Sequence, residues 1–458
     1  MNFDSSSSTS SDEIYDSMLL DFIEENRQQE VIEDTVRYVV NTDVEEQEVH
    51  GSRREKMSRW IVPRDREGAH DRLVTDYFSD HPLYGDEKFR RRFRMRKPLF
   101  MKIVNTLSAT DRFFQQHPDA TMRLGASGIQ KCTAAMRMLA YGCPADQIDE
   151  YLKLWASTAR ECLIHFVNGV IREFSTEYLR KPNAEDLVRL LKQGEERGFP
   201  GMMGSIDCMH WEWKNCPAGW KGMYQGRSKR ATVILEAVVS WDLWIWHAFF
   251  GTPGTCNDIN VLQRSPVFDD ILNGRDPQVN FTVNGNTYNQ GYYLTDGIYP
   301  KWATFISAIT SPQTPKQKLF TIKQESIRKD VERAFGVLQA RFAIIRHPAL
   351  AWSVEMLWKI VMACIIMHNM IVEDERDNYM NYWDPTEFST EQPENLAGSS
   401  RRGATTFTVT PGRYKDQNLA TLMATRENLR DKQINTSLKN DLLEHIWASF
   451  GSTFVNSP

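Results

Sequence analysis

Residues 198–217 read GFPGMMGSIDCMHWEWKNCP. Met202, Met203, Ile206 and Met209 stand among small residues, with aromatics following, and predict a strand. Asp207 falls inside it. An ionised carboxylate is seldom buried unless a positive partner offsets its lost hydration. The identity of that partner decides how the rest of the chain is read.

From residue 198 onward the apolar period is two, in β-branched and aromatic runs. ATVILEAVVSW and LWIWHAFFG predict strands two and three, joined by a turn at Trp241–Asp242. NDINVLQRSPVFDDIL predicts a helix with Asn257 or Asp258 near its N-terminus, and GYYLTDG a fourth strand. ESIRKDVERAFGVLQARFAII predicts a helix packing through Val331, Phe335, Leu338 and Phe342. Three strands, a helix, a fourth strand and a later helix is the order of the ribonuclease-H-like α/β fold.

In that order strands one and four are neighbours. Asp207 and Asp296, the latter closing strand four, then project at one end of the sheet. Glu332 leans in from the last helix, and Asp258 opens the helix after strand three. Two like charges ~4 Å apart cost about 4 kcal/mol at an effective dielectric of ~20. With no Lys or Arg expected among the acids, divalent cations with oxygen ligands relieve that repulsion. The expected partner of Asp207 is therefore a pair of Mg²⁺ or Mn²⁺ ions, suited to phosphodiester chemistry. Simpler roles stay open for the others. Asp258 can be a helix cap, Asp296 a turn residue before Gly297, and Glu332 the partner of Arg328 one turn earlier.

With 458 residues, 41% hydrophobic and 25% charged, the chain can bury at least one large core. The net charge of -5 hides an asymmetry. Residues 1–50 carry 14 Asp or Glu and two Arg, whereas residues 51–131 carry 18 Lys or Arg and 10 acids. An acidic tail before a basic block is a layout of nucleic-acid proteins. The densest part, Lys88–Lys97, offers Arg90, Arg91, Arg92, Arg94 and Arg96 to phosphates, or equally to water around an inward-packing Phe stripe.

The chain divides into an acidic, mostly disordered tail (1–58), a basic helical region (59–125), a helix-turn-helix-like domain (126–197), the ribonuclease-H-like core (198–375), and a linker with an amphipathic C-terminal helix (376–458). In the helical domain SGIQKCTAAMRMLAYG is stopped by Gly142, and Thr158-x-x-Glu161 predicts a capping box opening the third helix. As a recognition helix it presents Ser157, Thr158, Arg160 and His165 to DNA; as one of three bundle helices it presents them to water. The C-terminal helix carries Leu438, Leu442, Ile446 and Trp447, a docking surface or a face packed on the core.

The seven cysteines form no CxxC pair, which argues for reduced thiols and against a zinc ribbon or disulfide scaffold. No secretory pattern opens the chain, and IVMACIIMHNMIV (360–372) reads as a buried helix too short for a bilayer. No phosphate loop or GxGxxG suggests ATP or a dinucleotide.

GSIDCMHWEWKNCP, NDINVL, GYYLTDGIYPKW, KDVERAFGVLQARFAIIR and IIMHNMIVEDE, in this order over residues 60–375, closely resemble the plant PIF/Harbinger superfamily of transposases, including its Pong-like branch and the Harbinger-derived nucleases. The resemblance implies a DDE endonuclease that cuts and joins element-end DNA with divalent metal. Asp207, Asp258, Asp296 and Glu332 match its acids; the second Asp of the triad is Asp258 or Asp296, and topology favours Asp296. It further implies a nuclear protein acting on terminal inverted repeats with a Myb-like DNA-binding partner, and leaves room for a homo-oligomer. The alternative is a domesticated descendant that binds DNA or chromatin without cutting.

Overall fold

The structure, a computed structural model, describes residues 64–118, 122–226, 229–268, 278–376, 407–410, 427–428 and 430–455. The acidic tail, with IYDSMLLDFIEE, lies outside them. The strands are β1 (Met202–Glu212), β2 (Thr232–Val239), β3 (Ile245–Pro253), β4 (Gln278–Val283), β5 (Asn286–Tyr288), β6 (Tyr292–Thr295), β7 (Phe305–Ser307) and β8 (Phe407–Thr410). Before β1 come α1 (Arg66–Leu73), α2 (Asp86–Phe93), α3 (Lys97–Thr110), α4 (Gly128–Tyr141), α5 (Asp146–Leu152), α6 (Ala156–Tyr178) and α7 (Ala184–Glu196). After it come α8 (Lys221–Tyr224), α9 (Asp258–Arg264), α10 (Pro315–Arg341), α11 (Ala343–Arg346), α12 (Val354–Asp374) and α13 (Lys432–Val455).

The main sheet is mixed and ordered β3-β2-β1-β6-β7. β1, β2 and β3 pair antiparallel; β1–β6 and β6–β7 pair parallel. Every residue of β2 is buried, as both faces of this central strand are covered. α10 packs on β1 and β2, and α7 packs on β1. A second sheet, ordered β5-β4-β8, draws in Phe407–Thr410 from the stretch expected as a linker. Its β-branched run gains a strand partner that the local sequence does not name.

The helical layer is not set apart from the sheet. α4 opens with a capping box, Ser127 with Gln130, and stops at Gly142, whose φ of 62° suits glycine. α6 begins at Ala156, with Trp155 at the cap position and no side-chain cap, so Thr158 lies inside the first turn rather than opening it. α6 packs on both α4 and α12. One hydrophobic cluster runs through helices and sheet, and the described residues belong to one compact unit. The divisions expected at 125 and 197 therefore mark no break in the core.

α12 is 21 residues long and apolar enough to cross a membrane by length and composition, but most of it is buried against α6 and β3. Its His368–Asn369 pair is structural. Asn369 Nδ2 donates to Ile245 O at 2.8 Å and to Tyr178 O at 2.6 Å, while Oδ1 accepts from Ile245 N at 2.9 Å. Burial lowers the His368 pKa to about 3, so the neutral ring donates from Nε2 to Leu243 O and accepts at Nδ1 from Arg341. α13 is packed on α10 through Leu438, Leu442 and Ile446 rather than left as a docking face. Lys316 pairs with Glu444, and Asn435 Nδ2 donates to Phe305 O, which fixes the helix to β7.

Candidate active site

The parallel register of β1 and β6 sets Ser205 opposite Leu294. Asp207 lies two residues beyond that pair on β1, and Asp296 two residues beyond it just past the end of β6, near enough for its charge to act on Asp207. Asp296 follows the last residue of β6, and its Oδ1 accepts from Ile298 N at 2.9 Å, an Asx turn that orients the carboxylate. Asp207 Oδ1 accepts from Cys208 N at 2.8 Å. At the start of α9 the cap is Asn257, which accepts from Asn260 N at 2.9 Å. Asp258 is thereby released from capping and lies near Cys208 and Asp296.

Glu332 comes from α10, on a stripe with Gln324 and Arg328 at four-residue spacing. Gln324 is fully buried, and its Nε2 donates to Thr295 O at 2.9 Å and to Ile306 O at 3.0 Å. It ties α10 to the ends of β6 and β7, next to Asp296. One turn on, Arg328 Nη1 donates to Asp207 Oδ2 at 2.8 Å and Nη2 to Glu332 Oε1 at 2.6 Å. The acids were expected to stand free of Lys and Arg; the positive partner of Asp207 in this structure is Arg328. Sequence reasoning had weighed Arg328 for Glu332 alone, because reach across to a strand is invisible to helical spacing.

The site carries more negative charge than one guanidinium balances. Burial pushes the Asp207 carboxyl up to about 6, with Asp296 and Asp258 adding to the effect and Arg328 opposing it. Asp258 is raised too, by burial and then by Asp296. Behind them, on the other face of β1, Glu236 of β2 stands opposite Cys208. It is fully buried, and burial pushes it up to about 7, with the Ser265 hydroxyl opposing and Asp258 adding to the effect. Glu236 was missed, although a Glu inside the run ATVILEAVV carries the same signal that singled out Asp207. Burial and the charges of Glu236 and Asp258 raise the Cys208 thiol as well, so it stays protonated.

Crowded, uncompensated carboxylate oxygens fit a hard divalent cation by donor type. Among the described residues, however, no three His, Cys, Asp or Glu side chains are gathered closely enough to hold one ion, and Glu332 is turned onto Arg328.

The side chains expected to meet DNA are for the most part occupied within the chain. Arg90 forms a two-pronged pair with Glu375, at 2.6 and 3.0 Å. Arg96 holds Asp374 at 2.6 Å, Arg92 bonds the Tyr77 hydroxyl, and Arg94 reaches Ala140 O at 3.5 Å. The block fastens α2 and the start of α3 to the end of α12, a long-range use that composition cannot reveal. Arg91 is exposed. On α6, Arg160 is exposed and Thr158 half-buried. His165 pairs with Asp111 at 2.9 Å and stacks on Phe113, with ring centroids 4.0 Å apart. These contacts fix the ring, whose side chain stays 43% exposed.

A family model described as plant transposon protein matches residues 176–379, from the end of α6 to just beyond α12, and a domain of unknown function matches residues 70–108. The human protein titled "Putative nuclease HARBI1" is 21% identical over 53% of this chain and 67% of its own length. The Bos taurus protein of the same title is 22% identical over 57% and 71%. "Protein ALP1-like" of Arabidopsis thaliana is 24% identical over 54% of this chain and 61% of its own length. No solved structure matches. By sequence the chain is similar to the plant transposon protein family and to proteins titled as Harbinger-type nucleases.

Proposed function

We propose that the chain is a DDE-type nuclease on a ribonuclease-H-like core, cutting and joining DNA at the ends of a transposable element. The observation that carries this reading is the convergence of Asp207 on β1, Asp296 just past the end of neighbouring β6 and Asp258 beside them, with Glu332 on the helix that packs on the sheet. The strand order β3-β2-β1-β6-β7, antiparallel then parallel, supports the same core.

Asp207, Asp258 and Asp296, joined by Glu332, would hold one or two Mg²⁺ or Mn²⁺ ions only after their side chains close up and leave Arg328. Bound there, such ions supply positive charge to a phosphate and lower the pKa of an attacking water. The chain's own part is positioning. Register fixes Asp207 against Asp296, the turn to Ile298 N orients Asp296, and Gln324 holds α10 over both. In this reading the protein is nuclear, and recognition of the terminal repeats falls largely to a Myb-like partner, since Arg90, Arg92, Arg94, Arg96 and His165 have partners within the chain.

The test is cleavage of a supercoiled plasmid bearing the element ends, with partner and Mg²⁺ or Mn²⁺ supplied. Wild type should cleave and Asp207→Asn should not. Equal cleavage by both removes the assignment. The Arg328 bridge favours one alternative, a descendant that binds DNA or chromatin without cutting. Metal-independent DNA binding with no cleavage at any cation concentration would establish it.

A further inference from the structure

Arg328 does more than an ordinary helical ion pair requires. A pair at i, i+4 needs only Glu332, yet the guanidinium also crosses to β1 and takes Asp207. Its side chain is 15% exposed and that of Asp207 17%, whereas Glu332 is 46% exposed. Both oxygens of Asp207 are thus engaged, Oδ1 by Cys208 N and Oδ2 by Arg328. A planar fork spanning two carboxylates from different elements holds them at a fixed separation. It also supplies positive charge to three acids that repel one another. A cation ligated by an Asp207 oxygen at ~2.1 Å would compete with the Arg328 nitrogen for that oxygen.

We propose that Arg328 is a resident counter-ion. It holds Asp207 and Glu332 in place while the site is free of metal, and it must release Asp207 when a divalent cation binds. Arg328 is then a positioning residue that acts through Asp207, and it sets the cation concentration at which the site loads. The inference rests on the nuclease reading above, since it takes Asp207 as a cation ligand.

The test reads cation binding without DNA or cleavage, as the Mn²⁺ or Mg²⁺ concentration at which thermal stability begins to climb logarithmically with added cation. Wild type, Arg328→Gln, Arg328→Lys and Asp207→Asn are compared. Arg328→Gln should be less stable than wild type without metal but load at about tenfold lower cation, the scale of one ion pair removed from competition. Arg328→Lys keeps the charge but cannot span both acids, so it should fold and fall between the two; it carries the test where Arg328→Gln fails to fold. An unchanged onset concentration in both Arg328 variants, with Asp207→Asn abolishing the response, overturns the counter-ion role and leaves the nuclease reading standing. Absence of any Asp207-dependent response in all the proteins overturns both.

Discussion

Glu236→Gln should make the protein more stable in alkali and change it little in mild acid. Glu236 is fully buried in β2, and burial outweighs the help its charged form gets from the Ser265 hydroxyl. Its pKa rises from the ordinary 4.5 to about 7 in the folded state. Between those values the folded chain holds the proton more tightly than the unfolded chain, so stability falls as pH rises through the window. Above pH 7 the full penalty applies, about 3 kcal/mol for a shift of about 2.5 units. Gln keeps the shape and stays neutral, so it escapes the penalty. The gap between variant and wild type should reach about 3 kcal/mol at pH 8.5 and shrink below about 1 kcal/mol at pH 5. Exchanging one polar head for another shifts both pH values alike, so the change in the gap is the decisive quantity. Denaturant unfolding at the two pH values measures it. Asp207, raised from 3.8 to about 6, lowers stability with pH in both proteins and cancels from the difference. A gap that is the same at both pH values would falsify the reasoning, because it would mean that the ionised Glu236 is compensated.

Other outcomes follow from the same contacts. Arg90→Gln removes the two-pronged partner of buried Glu375 and should cost about 2 kcal/mol in unfolding experiments, while the salt dependence of DNA affinity stays as in wild type; a flatter salt slope would return Arg90 to the DNA surface. Gln324→Leu keeps the apolar bulk but loses both hydrogen bonds to the strand ends, so cleavage should fall at least about tenfold with the fold retained; full activity at unchanged metal demand would show that α10 needs no such anchor. Asp296→Ala should remove cleavage at every Mg²⁺ or Mn²⁺ concentration, while Asp258→Ala should leave a trace that grows with Mn²⁺. The opposite order of residual activities would make Asp258 the second member of the triad.

Local pattern was enough to place β1, β2, β3, β6 and α10, and the acids along them. A period of two separates β1, β2 and β3 cleanly because alternate residues of a strand meet different surroundings. An acid inside such a run is conspicuous because burial of charge is costly, and that rule found Asp207 and, applied evenly, would have found Glu236. Asn257 and Asp258 both suited a helix start; only the backbone decided that Asn257 caps and Asp258 is left for the site. Tertiary structure alone decided where long side chains go. An arginine reaches several ångströms from its own backbone, so its partner can come from any element that packs nearby. Arg90 and Arg96 found the end of α12, some 280 residues away in sequence, instead of a phosphate. α13 spent its Leu438–Leu442–Ile446 stripe on α10 because an apolar face takes whichever surface excludes water. Arg328 supplied the positive charge that Asp207 requires: a helical neighbour in sequence for Glu332, but a neighbour of Asp207 only once α10 lay across β1.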